Sequence, residues 1–196
     1  NLTQSFKINA FTINDKSEVG WFYCSASSTE IDRYVIYNYA DQTWIYGSLS
    51  RTAWLDSGIE NYPRAVSSGY VYQQEVGFDD DGTPMTNVFI ESSDFDIGDG
   101  EQFSFIRRII PDFKFLSNSG GGKVNIVVKT RNFPGDSLTT NSTNSISSTT
   151  QQANIRARGR QAVLRFESDD DDTTANTSVG WRLGATRLDV KTDGRR

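Results

Sequence analysis

The chain contains no histidine at all. A Ser-His-Asp triad, a Cys-His pair and any His-ligated metal site are excluded by that one absence. Cysteine occurs once, as Cys24 in the segment GWFYCS, so no internal disulfide can form. The chain is therefore not a disulfide-stapled secreted scaffold, and Cys24 reads as a small buried hydrophobe rather than a nucleophile. No apolar stretch approaches the roughly 20 residues of a membrane-spanning helix. No signal peptide is expected ahead of Asn1, and the missing initiator Met predicts residues upstream of it. Walker loops, dinucleotide-binding glycine fingerprints and cysteine clusters are also missing. An enzyme reading has nothing specific to stand on, and no cofactor is expected.

Helical periodicity is missing too. No window of about 12 residues carries an apolar stripe at i, i+3, i+4 and i+7. Apolar residues make up 36% of the chain, while aromatics reach 12% and Gly numbers 16 among 196 residues. With long Ser/Thr/Asn stretches, this favours strands and loops, and an all-β chain with very little helix is expected.

The clearest signal is Arg33–Leu49, RYVIYNYADQTWIYGSL. An alternating β-branched and aromatic run, a polar turn at Ala40–Thr43 and a second aromatic run from Trp44 predict a β-hairpin. With Phe6–Ile13 and Val19–Cys24 ahead of it, the region supplies about the four antiparallel strands of one β-propeller blade. One blade cannot close a ring that takes roughly four to eight, so the chain reads as the end of something larger or as a piece that needs partners.

The next strand pair is expected at Gly69–Glu75 and Asn87–Ser92, separated by the turn Asp79–Gly82. Beyond Ile97–Gly100, Gln102–Ile110, Phe113–Leu116 and Lys123–Arg131 read as strands. A long strand Ala153–Glu167 bends at Gly159, and a last hairpin joins Val179–Leu183 to Thr186–Val190. That pattern predicts an antiparallel β-sandwich. Residues 1–95 are expected as a blade-like region and 96–196 as a sandwich-like domain. Asp136–Gln152, nearly all Ser, Thr, Asn and Gln, is expected as a mobile loop, because it has almost no apolar anchor to offset ordering.

Charge is unevenly spread. Residues 1–100 hold 5 Lys+Arg against 15 Asp+Glu, a net of −10, while residues 101–196 hold 15 against 10, a net of +5. The division predicts either two modules with unlike surfaces or solvated loops that happen to differ.

Three clusters are candidates for binding. Asp94, Asp96 and Asp99 in DFDIGDG offer hard oxygen ligands for Ca²⁺, but the EF-hand spacing fails, and a hydrogen-bonded turn is the expected outcome. The four adjacent carboxylates Asp169–Asp172 repel one another and read as a hydrated loop. In IRARGR, a strand would place Arg156, Arg158 and Arg160 on one face. Arg107, Arg108, Arg195 and Arg196 add charge to the same half. An acidic protein partner, a bare solvated face and nucleic acid are all compatible with such a face, although overall acidity argues against a dedicated DNA binder.

Several blocks carry a family resemblance: RYVIYNYADQTWIYGSLSRTAW, VFIESSDFDIGDG with FIRRIIPD, and ARGRQAVLRFES with VGWRLGATRLDVKTDGRR. From about Gly20 to Arg196 the chain resembles the C-terminal part of tail-tube or tail-hub proteins of short-tailed bacteriophages, the nozzle or packaged-DNA-stabilisation type. The resemblance implies a virion protein assembled in the host cytoplasm, with a β-propeller followed by sandwich elements. It further implies a hexameric ring beside adaptor, fibre and other tail proteins, whose lumen retains and then passes DNA. Most of a propeller is absent, and no catalytic residues carry over. Within that setting the basic face of Arg156, Arg158 and Arg160 is expected to meet an acidic surface of a neighbouring copy. The alternative is a carbohydrate- or receptor-binding β module. There Trp44, Tyr46 and Trp54 would stack on sugar rings, and Asp81 or Asp99 would bond hydroxyls.

Overall fold

A computed structural model describes residues 4, 6–58, 60–80, 82–96, 101–117, 122–169 and 179–194. Among the described residues the fold is all-β, built of antiparallel sheets, with a three-residue 3-10 turn at Asn14–Lys16. The chain divides into two compact units, Asn1–Val76 and Gly77–Arg196.

The first unit begins with a meander of β1 (Asn9–Ile13), β2 (Glu18–Tyr23), β3 (Arg33–Asn38) and β4 (Thr43–Ser48), paired in that order. The expected hairpin forms with Asn38 opposite Thr43, and the Asn38 side chain caps the turn by accepting from the Ala40 and Asp41 amides. Period-two alternation gives this sheet two different faces. One carries Phe11, Ile13, Phe22, Tyr34 and Ile36 into a small core completed by Ile31, Leu49 and Trp54. Phe11 and Phe22 stack with ring centres 4.3 Å apart, and Trp54 lies 4.8 Å from Phe11. Gly20 is required beneath Phe11, because a β-carbon there would fall 2.3 Å from the Phe11 ring.

Trp54 comes from a second sheet of β5 (Ala53–Leu55), β6 (Arg64–Ser67) and β7 (Tyr70–Gln73). Its inner row pairs Trp54, Ala65 and Tyr72, and Arg51 lies over the Tyr72 ring at 4.5 Å. Asp56 ties the two sheets together by accepting from the Thr12 hydroxyl and the Asn14 amide.

The second unit opens with the short pair β8 (Asp79–Asp80) and β9 (Thr83–Pro84), then β10 (Phe89–Glu91) and β11 (Phe95–Asp96). It continues through β12 (Ser104–Ile110), β13 (Phe113–Ser117), β14 (Val124–Arg131), β15 (Thr139–Ile146), β16 (Ala153–Gly159), β17 (Gln161–Ser168), β18 (Val179–Leu183) and β19 (Arg187–Thr192). One sheet has the order β10-β17-β14-β15, with β11 also on β17, and a second has the order β16-β12-β19. Their inner faces form one sandwich core. Ile106, Ile109, Val124, Ile126, Val128, Ile146 and Ile155 are at most 1% exposed in it. Each such side chain contributes about 1.5–3 kcal/mol relative to exposure. A β13–β18 ribbon adds Phe113, Phe115, Trp181 and Leu183 against that core.

Four expectations require correction. The strands at Tyr70–Gln73 and Phe89–Glu91 do not pair with each other, because β7 pairs with β6 and β10 with β17. The unit boundary falls at Val76/Gly77 rather than at residue 95, because β10 and β11 pair with β17 and belong to the sandwich. The expected mobile loop 136–152 contains β15, which pairs with β14 from Thr139 to Ile146 and buries Ile146 in the core. Its polar side chains neither hinder nor replace the backbone ladder, and one apolar anchor with a well-formed neighbour suffices. The long strand 153–167 is two strands in different sheets, since the chain crosses from one layer to the other at Gly159–Arg160.

Candidate functional site: two surfaces built by strand alternation

In the three-stranded sheet, Ala153, Ile155 and Ala157 of β16 point into the core, while Asn154, Arg156 and Arg158 alternate outward. Antiparallel register sets Arg158 opposite Phe105 and Phe105 opposite Lys191, so a cation flanks Phe105 on either side. Arg108 lies between Asn154 and Asp189. The register slips between Ile106 and Arg108, so Arg107 is an extra, exposed residue in β12. Arg187 and Lys191 extend outward from β19, whose alternate residues Leu188 and Val190 pack on the core.

Arg107, Arg108, Arg156, Arg158, Arg187 and Lys191 therefore share one outer face. Two carboxylates answer them within the same unit: Asp189 meets Arg108 at 3.3 Å, and Asp193 accepts from Arg158. Arg107, Arg156, Arg187 and Lys191 are exposed and make no ion pair among the described residues. Arg160 departs from the expected row of three. It follows the layer crossing at Gly159 and packs beside Arg158 on the Phe103 ring, the two guanidinium carbons 4.9 and 4.1 Å from the ring centre.

Several carboxylates elsewhere in the second unit are engaged. Asp94 is paired with Arg131, which also donates to Gln161 at 2.6 Å, and Asp96 sits in β11 opposite Gln161. Asp81, Asp99, Asp170–Asp172, Arg195 and Arg196 lie outside the described residues. No group of three or more metal-ligating side chains exists among the described residues. Glu91 accepts from Lys129 at 2.7 Å and lies 3.3 Å from Arg165, and this hydrogen bond to Lys129 above all holds its carboxyl below the usual range despite partial burial.

The structural boundary also changes the charge argument. Residues 1–76 carry 8 acidic and 5 basic side chains, a net of −3, and residues 77–196 carry 17 and 15, a net of −2. The expected contrast between an acidic and a basic module disappears, because seven carboxylates between residues 79 and 99 belong to the same unit as the arginines. The asymmetry lies within the sandwich, as a basic sheet face, rather than between units.

The second surface is the other face of β1–β4. Cross-strand rows place Val19, Tyr37 and Trp44 together, and Ala10, Trp21, Val35 and Tyr46 beside them. Trp44 is 62% and Tyr46 73% exposed, with Tyr37 4.7 Å and Trp21 6.4 Å from the Trp44 ring centre. Trp54 does not join them. It is anchored in the core and donates its indole N–H to the Thr12 carbonyl at 3.0 Å. The outer side of the β5–β7 sheet has an aliphatic row of Ala53, Val66 and Val71 in register, and beside it a row of Leu55, Arg64 and Gln73. Leu55 and Val71 are 64% and 66% exposed.

Compared with known proteins, the chain matches no protein-family model and no curated sequence.

Proposed function

We propose that this chain is a structural protein that works as a repeated part of a larger β assembly. The observation that carries this reading is that the first unit has two unlike outer surfaces with exposed apolar side chains. One is the aromatic face of Trp21, Tyr37, Trp44 and Tyr46, and the other is the aliphatic face of Leu55, Val66 and Val71. Exposed apolar surface of this kind marks an interface. Two different faces on one unit make a heterologous, head-to-tail contact, which closes into a ring when the rotation between copies allows it. The aromatic face of one copy would then receive the aliphatic face of the next, as Phe11 and Phe22 receive Trp54 within the unit.

The finer reading is a virion protein of a short phage tail, forming a ring-shaped conduit, with a hexamer expected, that retains and then passes DNA. It rests on the sequence blocks given above, and the assembling sheet is compatible with it. The charge-driven docking of Arg156, Arg158 and Arg160 on an acidic neighbour is dropped as the cause of assembly, because the two units carry nearly equal net charge. Electron microscopy of the purified chain tests the reading. Closed rings around a channel support it, and a monomer at every concentration overturns it.

A second reading, a carbohydrate-binding module, is favoured by the exposed Trp44 and Tyr46 side by side. Specific retention on a glycan array that is lost in Trp44→Ala would establish it.

A further inference from the structure

We infer that the outer face of β16-β12-β19 binds the phosphate backbone of nucleic acid. Six cations are fixed on that face by strand alternation and by the bulge at Arg107, against two carboxylates among the described residues. Four of them, Arg107, Arg156, Arg187 and Lys191, are exposed without an ion pair among the described residues. A flat array of guanidinium groups held at strand spacing suits a ligand that presents regularly spaced, identical anions.

Charge complementarity separates this occupant from an acidic surface of another copy. Most carboxylates of the first unit are already engaged, Glu30 by Lys7, Glu60 by Arg64, Glu75 by Lys16, Asp32 by Ser25, and Asp56 by Thr12 and Asn14. In the sandwich, Glu91 and Asp94 are held by Lys129, Arg165 and Arg131. An acidic patch to match the basic face would have to break these contacts. A polyphosphate backbone brings its own charge and gains from the release of its counterions.

Phe105 sits in the middle of the array, between Arg158 and Lys191. A single strand would have an aromatic surface there on which a base can stack, whereas a duplex would use the cations alone. Both share the phosphate chemistry, and the inference stands whether or not copies assemble.

The test is fluorescence anisotropy of the full chain with mixed-sequence single-stranded and double-stranded DNA, over a salt series. With four phosphate contacts, affinity for duplex should fall about 10²-fold between 50 and 200 mM salt. The variant R156E/R187E should weaken binding at least about 10-fold and flatten the salt slope by about two contacts. K114E/R182E makes the same change in net charge on the β13–β18 ribbon, off this face, and should change affinity less than about twofold. Should R156E/R187E fail to fold, as judged by its circular dichroism, R156Q/R187Q replaces it with the same rank order expected. Tighter binding of the single strand that is lost in Phe105→Ala supports the face with a stacking base, and equal binding of both DNA forms supports the backbone alone. Absence of binding to either DNA at 50 mM salt overturns the inference. So does equal weakening by K114E/R182E, or a loss of self-association in R156E/R187E with DNA binding intact.

Discussion

A β-carbon on Gly159 would lie 2.6 Å from the Cβ of Thr130. The Thr130 hydroxyl donates to the Arg158 carbonyl at 2.9 Å, so β14 and the end of β16 touch where the chain passes from one layer of the sandwich to the other. The Arg160 amide donates to the Arg131 carbonyl at 3.1 Å and completes the crossing. Glycine is needed here for close approach.

Gly159→Ala should therefore destabilise the sandwich by about 1–3 kcal/mol, the range for overpacking a tight contact. Gly58→Ala, where a β-carbon meets nothing within 4 Å, serves as the control and should leave the melting temperature nearly unchanged. Thermal unfolding followed by circular dichroism reads both, and an equal effect of the two substitutions would contradict the contact.

Much of this was legible in the residues, and the failures have physical causes. Clean alternation in Arg33–Asn38 and Val124–Arg131 announced strands, and the turn before Trp44 announced its hairpin. The layer crossing is marked only by a change of phase, since the buried positions are odd-numbered in ANIRARG and mainly even-numbered in QAVLRF, and Gly159 signals a bend without saying where the chain goes next. The composition of Thr139–Ile146 points to a loop because composition reports side chains, while an edge strand is held by backbone bonds to its neighbour. Arg187 and Lys191 were missed as partners of Arg156, since antiparallel register across three strands, rather than proximity in sequence, brings them together. For Trp54 no local pattern separated a core anchor from an exposed stacking ring.

Since β15 is a paired strand, amides of Thr139–Ile146 that bond to β14 should show hydrogen-exchange protection in the monomer. Limited proteolysis should spare this segment. Rapid exchange throughout residues 139–146, with early cleavage there, would contradict the pairing.

Replacing Trp54 by Ala removes the ring that covers Phe11 and Phe22. A loss of about 2–4 kcal/mol is expected in the first unit, at or just under the range for deleting a large core aromatic. Trp44→Ala, by contrast, should cost the monomer less than about 1 kcal/mol, in line with substitutions at exposed positions. Comparable destabilisation by both would show that Trp44 belongs to a core.

Acid should act on the two units with opposite signs. Burial raises the Glu18 carboxyl above its usual range, with Lys16 opposing, Glu75 adding to the rise and a hydrogen bond from Asn38 opposing. A raised folded value means that stability is present below the unfolded value and is lost as pH rises through the folded one. Glu18→Gln should therefore stabilise the first unit at pH 7, and the gain should vanish below about pH 4.3. Glu91 is lowered, so its contribution is present above the unfolded value and is lost as pH falls through the folded one. Glu91→Gln should destabilise the sandwich at pH 7 and converge with the parent in acid. Unfolding midpoints across a pH series check both, and a pH-independent difference for either variant would contradict the assigned cause.

The most direct test of the assembly account is a mixing experiment read by analytical ultracentrifugation. The variant Trp44→Ser/Tyr46→Ser spoils only the aromatic face, and Leu55→Ser/Val71→Ser spoils only the aliphatic face. Head-to-tail assembly predicts that each variant alone is monomeric and that an equal mixture forms one discrete heterodimer, through the face that each retains. Rings from either variant alone, or no association in the mixture while the parent chain assembles, would contradict it.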